Sequence, residues 1–332
     1  GQELACVTDA STSSIGLIGD PGQTFYIAVQ SPTPIASFVL QDITYTGVQG
    51  NLTDMLISFP TSPLSEFGMA ANAGQLVMGD TSSVFSFPAT VGATALEYGA
   101  ANGITTTHLG YDLVFAGGSL FSVDNTTTVN VSRLFRIFDG VTWGPGTPWD
   151  LTPSYPSTSP SHAIATDGTT LFLSTRRTTA NTDVSIYSLN PAVPGTPVLL
   201  GVKSGVWYVT GMAVDATYFY FASNGSSGEG VYRVQRANLA APAVKIATID
   251  TGTLCNNIEV DAHGAAKHLY VRDALGNVHA VVDPGSATSV HIGAISTLGT
   301  SSDFAMTYDA STGSLYLFET ETDAAGRIVR LQ

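Results

Sequence analysis

The sequence predicts an all-β protein with the fold of a seven-bladed β-propeller. A six-residue pattern, plainest as Thr-Gly-Met-Ala-Val-Asp at residues 210–215, occurs seven times along the 332-residue chain. Each copy ends on an Asp or Asn, here called the anchor residue: Asp20, Asn72, Asp112, Asp167, Asp215, Asp261 and Asp309. Spacings of about 40 to 55 residues, with several short strands between anchors, are typical of propeller blades.

The alternation inside each copy is the second observation. Three residues before every anchor stands a large apolar residue: Leu17, Met69, Leu109, Ile164, Met212, Ile258 and Met306. The residues two and four places before the anchor are mostly small. Successive side chains of a strand point to opposite faces, so we expect an inner strand with one face between blades and the other towards a narrow channel. A β-sandwich strand also alternates, but without repeating one register seven times.

Composition agrees with this fold class. Charged residues make up only 11% of the chain, and Gly occurs 34 times. This is typical of a β protein with many tight turns and few helices. No apolar run approaches the roughly 20 residues of a membrane span, so we expect no membrane insertion.

The N-terminal residues are predicted to close the ring. Residues 4–9 form a β-like run before the first repeat, and the last repeat contains only three strands, the third at 327–331. Residues 1–12 would then supply the fourth strand of the last blade, which removes an open sheet edge. Pairing of that strand with a neighbouring molecule would instead produce self-association.

The blades are predicted in order along a single domain. The first covers 13–60, with later strands at 24–29, 36–41 and 54–59, and the count falls to six if this repeat is not a blade. The others are expected at 61–103, 104–160, 161–205, 206–251, 252–299 and 300–332, and 104–160 is the least regular because of a Pro- and Gly-rich insertion at 140–160. The anchors are predicted to accept backbone hydrogen bonds in tight turns.

The charge of the chain limits its partners. A formal net charge of −14, with 12 Lys plus Arg, disfavours nucleic acid and anionic membranes. Carbohydrate or protein partners at the cell surface fit better. The Lys-poor, Ser/Thr-rich composition predicts a protein secreted from a bacterial cell, and the turn at 308–315 resembles turns of bacterial propellers. Whether Cys6 and Cys255 are bridged, and whether the four N-x-S/T triplets carry glycans, stays open.

Polar residues are predicted to line the channel. The expected metal ligands are Glu66, His108, Asn257 and Asp303, with Glu259 just below, and His162 at the rim is a candidate proton carrier. Such a set would hold one divalent ion such as calcium, which could activate water. This ring of acidic and Asn residues is similar in kind to that of propeller sugar-lactone hydrolases, which implies a metal-dependent hydrolase or lyase acting on a sugar-like substrate. The alternative is a water-filled channel that needs polar walls.

Aromatic residues offer a second binding surface near the channel mouth. The candidate ligand-binding side chains are Trp143, Trp149, Tyr155, Trp207 and Tyr208. Exposed rings can stack on sugars or contact a protein partner, although Trp in a large β protein often packs between blades. Among the three expected functions, namely a non-catalytic binding or structural module, a metal-dependent enzyme and a self-assembling subunit, the sequence favours the first. No common catalytic motif is present.

Overall fold

The fold is seen in a computed structural model of the chain. It describes residues 45–48, 50–61, 66–80, 82–105, 112–123, 133–146, 149–150, 162–175, 183–193, 195–206, 209–223, 230–249, 255–261, 267–273, 275–286, 289–297, 305–319 and 326–332. Nearly all regular structure within these ranges is β, apart from one short 3-10 helix at Ala100–Asn102. No helix in these ranges is long and apolar enough to cross a membrane.

The strands form six four-stranded antiparallel sheets, numbered here as blades I to VI in chain order. Blades I to III consist of β2 to β5 (Glu66–Asn72, Gln75–Asp80, Val84–Pro88, Leu96–Tyr98), β6 to β9 (Leu113–Ala116, Ser119–Val123, Arg133–Phe138, Trp149–Asp150) and β10 to β13 (His162–Thr166, Leu171–Thr175, Asp183–Leu189, Val198–Ser204). Blades IV and V consist of β14 to β17 (Val209–Val214, Tyr218–Ser223, Gly230–Gln235, Val244–Ala247) and β18 to β21 (Cys255–Asp261, His268–Asp273, Asn277–Val282, Val290–Thr297). Blade VI combines β22 to β24 (Met306–Asp309, Ser314–Glu319, Arg327–Leu331) with β1 (Leu52–Asp54).

The prediction of seven blades is wrong, because the described strands form a closed ring of six. The inner strands β2, β6, β10, β14, β18 and β22 contact one another in that order, and β22 in turn contacts β2. Buried side chains of blades VI and I share one core, in which Phe318 packs with Met69 and Phe85. A blade made from residues 13–60 therefore has no place between them.

The prediction of the closing strand is also wrong. The outer position of blade VI belongs to β1, which pairs with β24 in the register Leu52↔Leu331 and Asp54↔Val329. Residues 4–9 lie outside the described residues. Because β1 already occupies this edge, self-association through residues 4–9 would require β1 to leave it.

The segment before β1 lies along the boundary between blades V and VI. The hydroxyl of Tyr270 accepts a hydrogen bond from the backbone N–H of Val48 at 3.0 Å, and the hydroxyl of Tyr45 donates to the carbonyl of Val48 at 2.7 Å. Val48 is buried there with residues of both blades, including Val278 and Met306. The chain therefore crosses from blade V to the edge of blade VI before it enters blade I.

The core lies between the blades rather than in one central mass. Side chains of alternate strand positions from two neighbouring sheets pack together, as in the cluster that combines Phe172 and Ile186 of blade III with Phe219 and Met212 of blade IV. The apolar residues that stand three before the anchors, such as Met212 and Ile258, are buried in these inter-blade layers. Small residues at the alternate positions, such as Ala213, also lie in these inter-blade layers and border the axis, which differs from the predicted division into a core face and a channel face.

Candidate functional site

An axial cavity is the candidate site. It has a volume of about 180 Å³ and is lined by residues from the inner strands of all six blades. Most positions that line it are small or aliphatic, as with Ala70, Ala165 and Ala213. Larger side chains at these positions would fill the axis, so the small residues predicted there from the sequence leave room for a cavity.

The inner strand of blade II ends four residues later in the chain than the sequence pattern suggested. Strand β6 ends at Ala116, and Ala116 pairs with Ser119 across the turn made by Gly117 and Gly118. Both glycines have positive φ, 56° and 78°, so this turn forms without an Asp. The anchor position of blade II is therefore Ala116, and the copy predicted to end at Asp112 was aligned four residues too early.

The corrected register puts Asp112 on the channel wall instead of in a turn. Its Oδ2 accepts a hydrogen bond from the backbone N–H of Ile164 in the next blade, with an O···N distance of 3.2 Å. Burial raises the pKa of Asp112 from its ordinary value to about 7, against the opposing effect of the backbone N–H groups of Ile164 and Leu113. Asp112 therefore titrates much closer to neutral pH than an ordinary aspartate does.

Glu259 lines the same cavity from the inner strand of blade V. Blades II and V are three places apart in a ring of six, so Glu259 and Asp112 approach the axis from opposite sides. Burial, and secondarily the charge of Asp112, raise the pKa of Glu259 well above its ordinary value. Asp112 and Glu259 are both half-buried residues, and both line the cavity.

Asn257 was predicted as a metal ligand, and it lies on the cavity wall two residues before Glu259. Its Nδ2 donates to the carbonyl of Met306 at 3.3 Å, and its Oδ1 accepts from the N–H of Ile258 at 2.7 Å. The amide therefore joins blades V and VI much as Asp112 joins blades II and III. Both polar atoms of this amide are thus engaged in holding the channel wall.

Tyrosine and aspartate side chains lie where the inner strands end. Tyr308 lines the cavity, and burial together with the charge of Asp261 raises its pKa above the ordinary value. Tyr308 is therefore a neutral hydroxyl at physiological pH. Within the described residues, no three His, Cys, Asp or Glu side chains cluster in a way that could hold a metal ion.

Most other predicted site residues lie outside the described residues. These are the metal-ligand candidates His108 and Asp303 and the aromatic candidates Tyr155, Trp207 and Tyr208. Glu66 and His162 are the first residues of β2 and β10, which puts both at the end of the ring where inner strands begin. The structure thus brings together Asn257, Glu259 and Asp112, of which the last was expected to be structural.

The two described tryptophans are packed against other rings. Trp149 is 4% exposed and meets Phe121 edge to face at 5.6 Å between ring centroids. Trp143 stacks on Tyr98 at 4.2 Å and on Phe138 at 4.6 Å, which joins blades I and II. Trp149 therefore has almost no free surface for a ligand, and both faces of Trp143 are covered by neighbouring rings.

Comparison with known proteins shows the fold. No family model and no curated protein sequence matches the chain. Among solved structures, the chain is similar to a gluconolactonase from Xanthomonas campestris, with a TM-score of 0.55 and 14% identity over 87% of this chain and 98% of that one. It is also similar to an oxidoreductase (glucose dehydrogenase) from Thermus thermophilus, with a TM-score of 0.53 and 13% identity over 85% and 99% of the two chains. At these identities the likeness establishes a β-propeller and leaves the activity to the site.

Proposed function

We propose that the protein is a non-catalytic binding module that receives a polar group of its ligand in the axial cavity. The observation that carries this proposal is the pair Asp112 and Glu259, two carboxyls that face one cavity from opposite blades. The remainder of the ligand would lie at the channel mouth, where the inner strands begin. Carbohydrate fits this site best, because hydroxyl groups both donate and accept hydrogen bonds.

The size of the cavity limits what can enter it. Its volume of about 180 Å³ equals roughly six water molecules at about 30 Å³ each, and pockets for drug-sized ligands start at about 300 Å³. A single sugar unit or a hydrated cation is near this size, whereas a protein or a polysaccharide is not. A polymeric ligand would therefore insert one end and bind the rest outside the cavity.

The protonation of the carboxyl pair suits a neutral ligand. Burial raises the pKa of Glu259 well above its ordinary value and so favours its protonated form, while Asp112 has a pKa of about 7. One carboxyl can then donate a hydrogen bond and the other can accept one. A divalent cation such as calcium is the alternative occupant, since it would favour the ionised form of both.

The energetic cost of this pair also supports a binding role. Two facing carboxyls in a buried cavity disfavour each other's ionisation, so a chain selected only for stability would carry small apolar residues there, like Ala70, Ala165 and Ala213 of blades I, III and IV. Strongly shifted pKa values of this origin cluster at functional sites. We therefore assign the carboxyl pair to ligand binding.

Calorimetric titration tests the proposal. A panel of neutral monosaccharides and Ca²⁺ alone would be titrated into the wild-type protein, Asp112→Asn and Glu259→Gln. We expect saturable binding of at least one probe, with an affinity at least tenfold lower in both variants. Asp139→Asn is the control, because Asp139 is an exposed turn residue whose side chain accepts from the N–H groups of Val141 and Thr142, away from the axis. Equal affinity in wild type and both channel variants would refute the proposal.

A metal-dependent hydrolase is the second candidate, favoured by the same carboxyl pair. A Ca²⁺ ion held by Asp112 and Glu259 would polarise the carbonyl of a lactone. The ligand set would then be completed from the predicted residues Glu66, His108, Asn257 and Asp303. Lactone hydrolysis that EDTA abolishes, Ca²⁺ restores and Glu259→Gln lacks would favour the enzyme, and sugar binding without such hydrolysis would favour the binding module.

We also propose that the protein acts outside a bacterial cell. The support is compositional: 12 Lys plus Arg among 332 residues and a net charge of −14 suit a surface that meets sugars rather than nucleic acids. Fractionation of the source cells tests this, with recovery in the medium or at the cell surface as the expected result. Recovery with cytosolic markers would contradict it.

A further inference from the structure

Blade V contains a second group of ionisable side chains away from the axis. Asp273 ends β19, His279 lies in β20 and His291 lies in β21. Nε2 of His279 is 3.0 Å from Oδ2 of Asp273, and Nδ1 of His279 is 3.2 Å from Nε2 of His291. His279 pairs with Val271 and His291 pairs with Val281 across neighbouring strands, so they share one face of the sheet with these valines. Both valines pack against blade IV, so the group lies at the boundary of blades IV and V.

Asp273 fixes the protonation of His279. Its carboxylate already accepts hydrogen bonds from the backbone N–H groups of Leu275 and Asn277 and from Nδ2 of Asn277. An ionised carboxylate only accepts, so Nε2 of His279 is the donor in this contact and carries the proton. In the tautomer with this one proton, Nδ1 carries a lone pair that faces His291. A carboxylate behind a histidine in this way is the usual outer-shell arrangement of histidine metal ligands.

The distance between the two imidazoles matches that of two ligands on one metal ion. Bonds of about 2.0 to 2.1 Å in tetrahedral geometry separate two ligand nitrogens by about 3.4 Å, and the observed separation is 3.2 Å. We propose that Nδ1 of His279 and Nε2 of His291 together bind one divalent transition-metal ion of the kind that prefers imidazole, zinc or copper. Without metal, Nε2–H of His291 donates to Nδ1 of His279, so metal binding requires the proton of His291 to move to its Nδ1.

Access and coordination number follow from the surroundings. His279 is 4% exposed, whereas His291 is partly exposed and leaves a route for the ion from solvent. The described residues supply no cluster of three His, Cys, Asp or Glu ligands. Water would fill the other coordination positions, so this is an open two-histidine site and not a closed structural one.

Zinc titration of the full-length protein tests the site. Zn²⁺ alone would be titrated against a chromophoric chelator at pH 7.5, and we expect one ion per chain. His291→Gln keeps an amide donor for Nδ1 of His279 but removes the imidazole, and it should lower the affinity at least tenfold. Asp273→Asn should lower it by about 10- to 100-fold through the lost outer-shell contact.

His268→Gln is the matched control. His268 belongs to the same blade and is also buried, but it faces Tyr45 on the side of blade VI, and its variant should bind Zn²⁺ as the wild type does. Paramagnetic resonance of the Cu²⁺ form of the wild type adds a readout that needs no variant, with coupling to two nitrogens expected. Equal Zn²⁺ affinity in His291→Gln and wild type, or no stoichiometric binding by the folded wild type, would overturn the proposal.

Discussion

Glu259 is a residue whose removal should stabilise the protein. Its pKa and that of Asp112 are raised in the folded state, so between about pH 4 and their folded values the native protein holds more protons than the unfolded chain. Stability from this pair is therefore complete at acid pH and decreases as pH rises. We expect Glu259→Gln to raise the free energy of unfolding at pH 8 and to change it little at pH 4.5. Urea unfolding at both values checks this, and parallel pH profiles for variant and wild type would contradict it.

Arg272 joins blades V and VI from a fully buried position. Its Nη1 donates to the carbonyl of Phe318 at 2.9 Å and to that of Ala305 at 3.2 Å. Arg272→Ala would remove the side-chain donor of the Phe318 carbonyl and leave a cavity, although the Ala305 carbonyl would still accept from the N–H of Phe318, and we expect a loss of about 3 to 5 kcal/mol in the free energy of unfolding. The side chain of Arg327 is 41% exposed and donates to the buried carboxylate of Glu319, so Arg327→Ala should cost less, about 1 to 2 kcal/mol. Denaturant unfolding measures the free energy lost in each variant, and equal losses would contradict the prediction that the buried arginine contributes more.

At the residue scale, the strand period was the informative part of the sequence. It put Asn257 and Glu259 on the channel face, where they are found, because a strand that alternates has only two faces. Asp112 was missed, since Leu-Gly-Tyr-Asp at 109–112 imitates the repeat while the true turn uses two glycines. The Gly117-Gly118 pair, which begins five residues after Asp112, was the signal that could have found it.

The inner strands are joined to their neighbours by the anchor residues, whose turn role was predicted. Asp309 accepts from the N–H of Ser311 in its own turn and from the N–H of Gly74 in blade I. Asp215 likewise accepts from Thr217 and pairs with Lys267 of the next blade at 2.6 Å. The contact to the next blade could not be predicted, because it depends on which strands the ring brings together.

Strand β1 closes the ring, and its single row of hydrogen bonds can be tested by position. The backbone N–H groups of Asn51 and Met55 donate to the carbonyls of Gln332 and Ile328, at the two ends of the pairing with β24. Because N–H groups of an antiparallel strand alternate in direction, the N–H of Thr53 also points at β24. Thr53→Pro should therefore lower the free energy of unfolding by about 2 to 4 kcal/mol. Leu52, whose N–H points away and whose side chain is 50% exposed, is the control, and Leu52→Pro should cost less than about 1 kcal/mol. Similar losses at both positions would argue against closure by this ladder.

At the scale of the whole molecule, the blade class followed from the sequence but the number of blades did not. The first repeat has the right period and register, yet β22 packs directly on β2. Ring closure is a contact between the two ends of the array, and no local pattern reports it. The chain instead uses Leu52–Asp54, a three-residue strand too short to be recognised by periodicity, to complete blade VI.

Binding of a cation on the axis of the ring should release protons from Asp112 and Glu259, which come from opposite blades. A calcium ion between Asp112 and Glu259 favours the ionised form of both carboxyls, whereas burial raises the pKa of both and so favours their protonated forms in the absence of the ion. Binding should therefore release protons, and the apparent affinity should rise up to about tenfold per pH unit for each proton released. Calorimetry of Ca²⁺ binding at pH 6, 7 and 8, in buffers of different ionisation enthalpy, counts these protons. Asp112→Asn should bind Ca²⁺ more weakly and release fewer protons than the wild type. Among the described residues, Asp112 and Glu259 are the carboxyls that line the cavity, so a pH-independent Ca²⁺ affinity of the wild type would mean that the ion binds elsewhere.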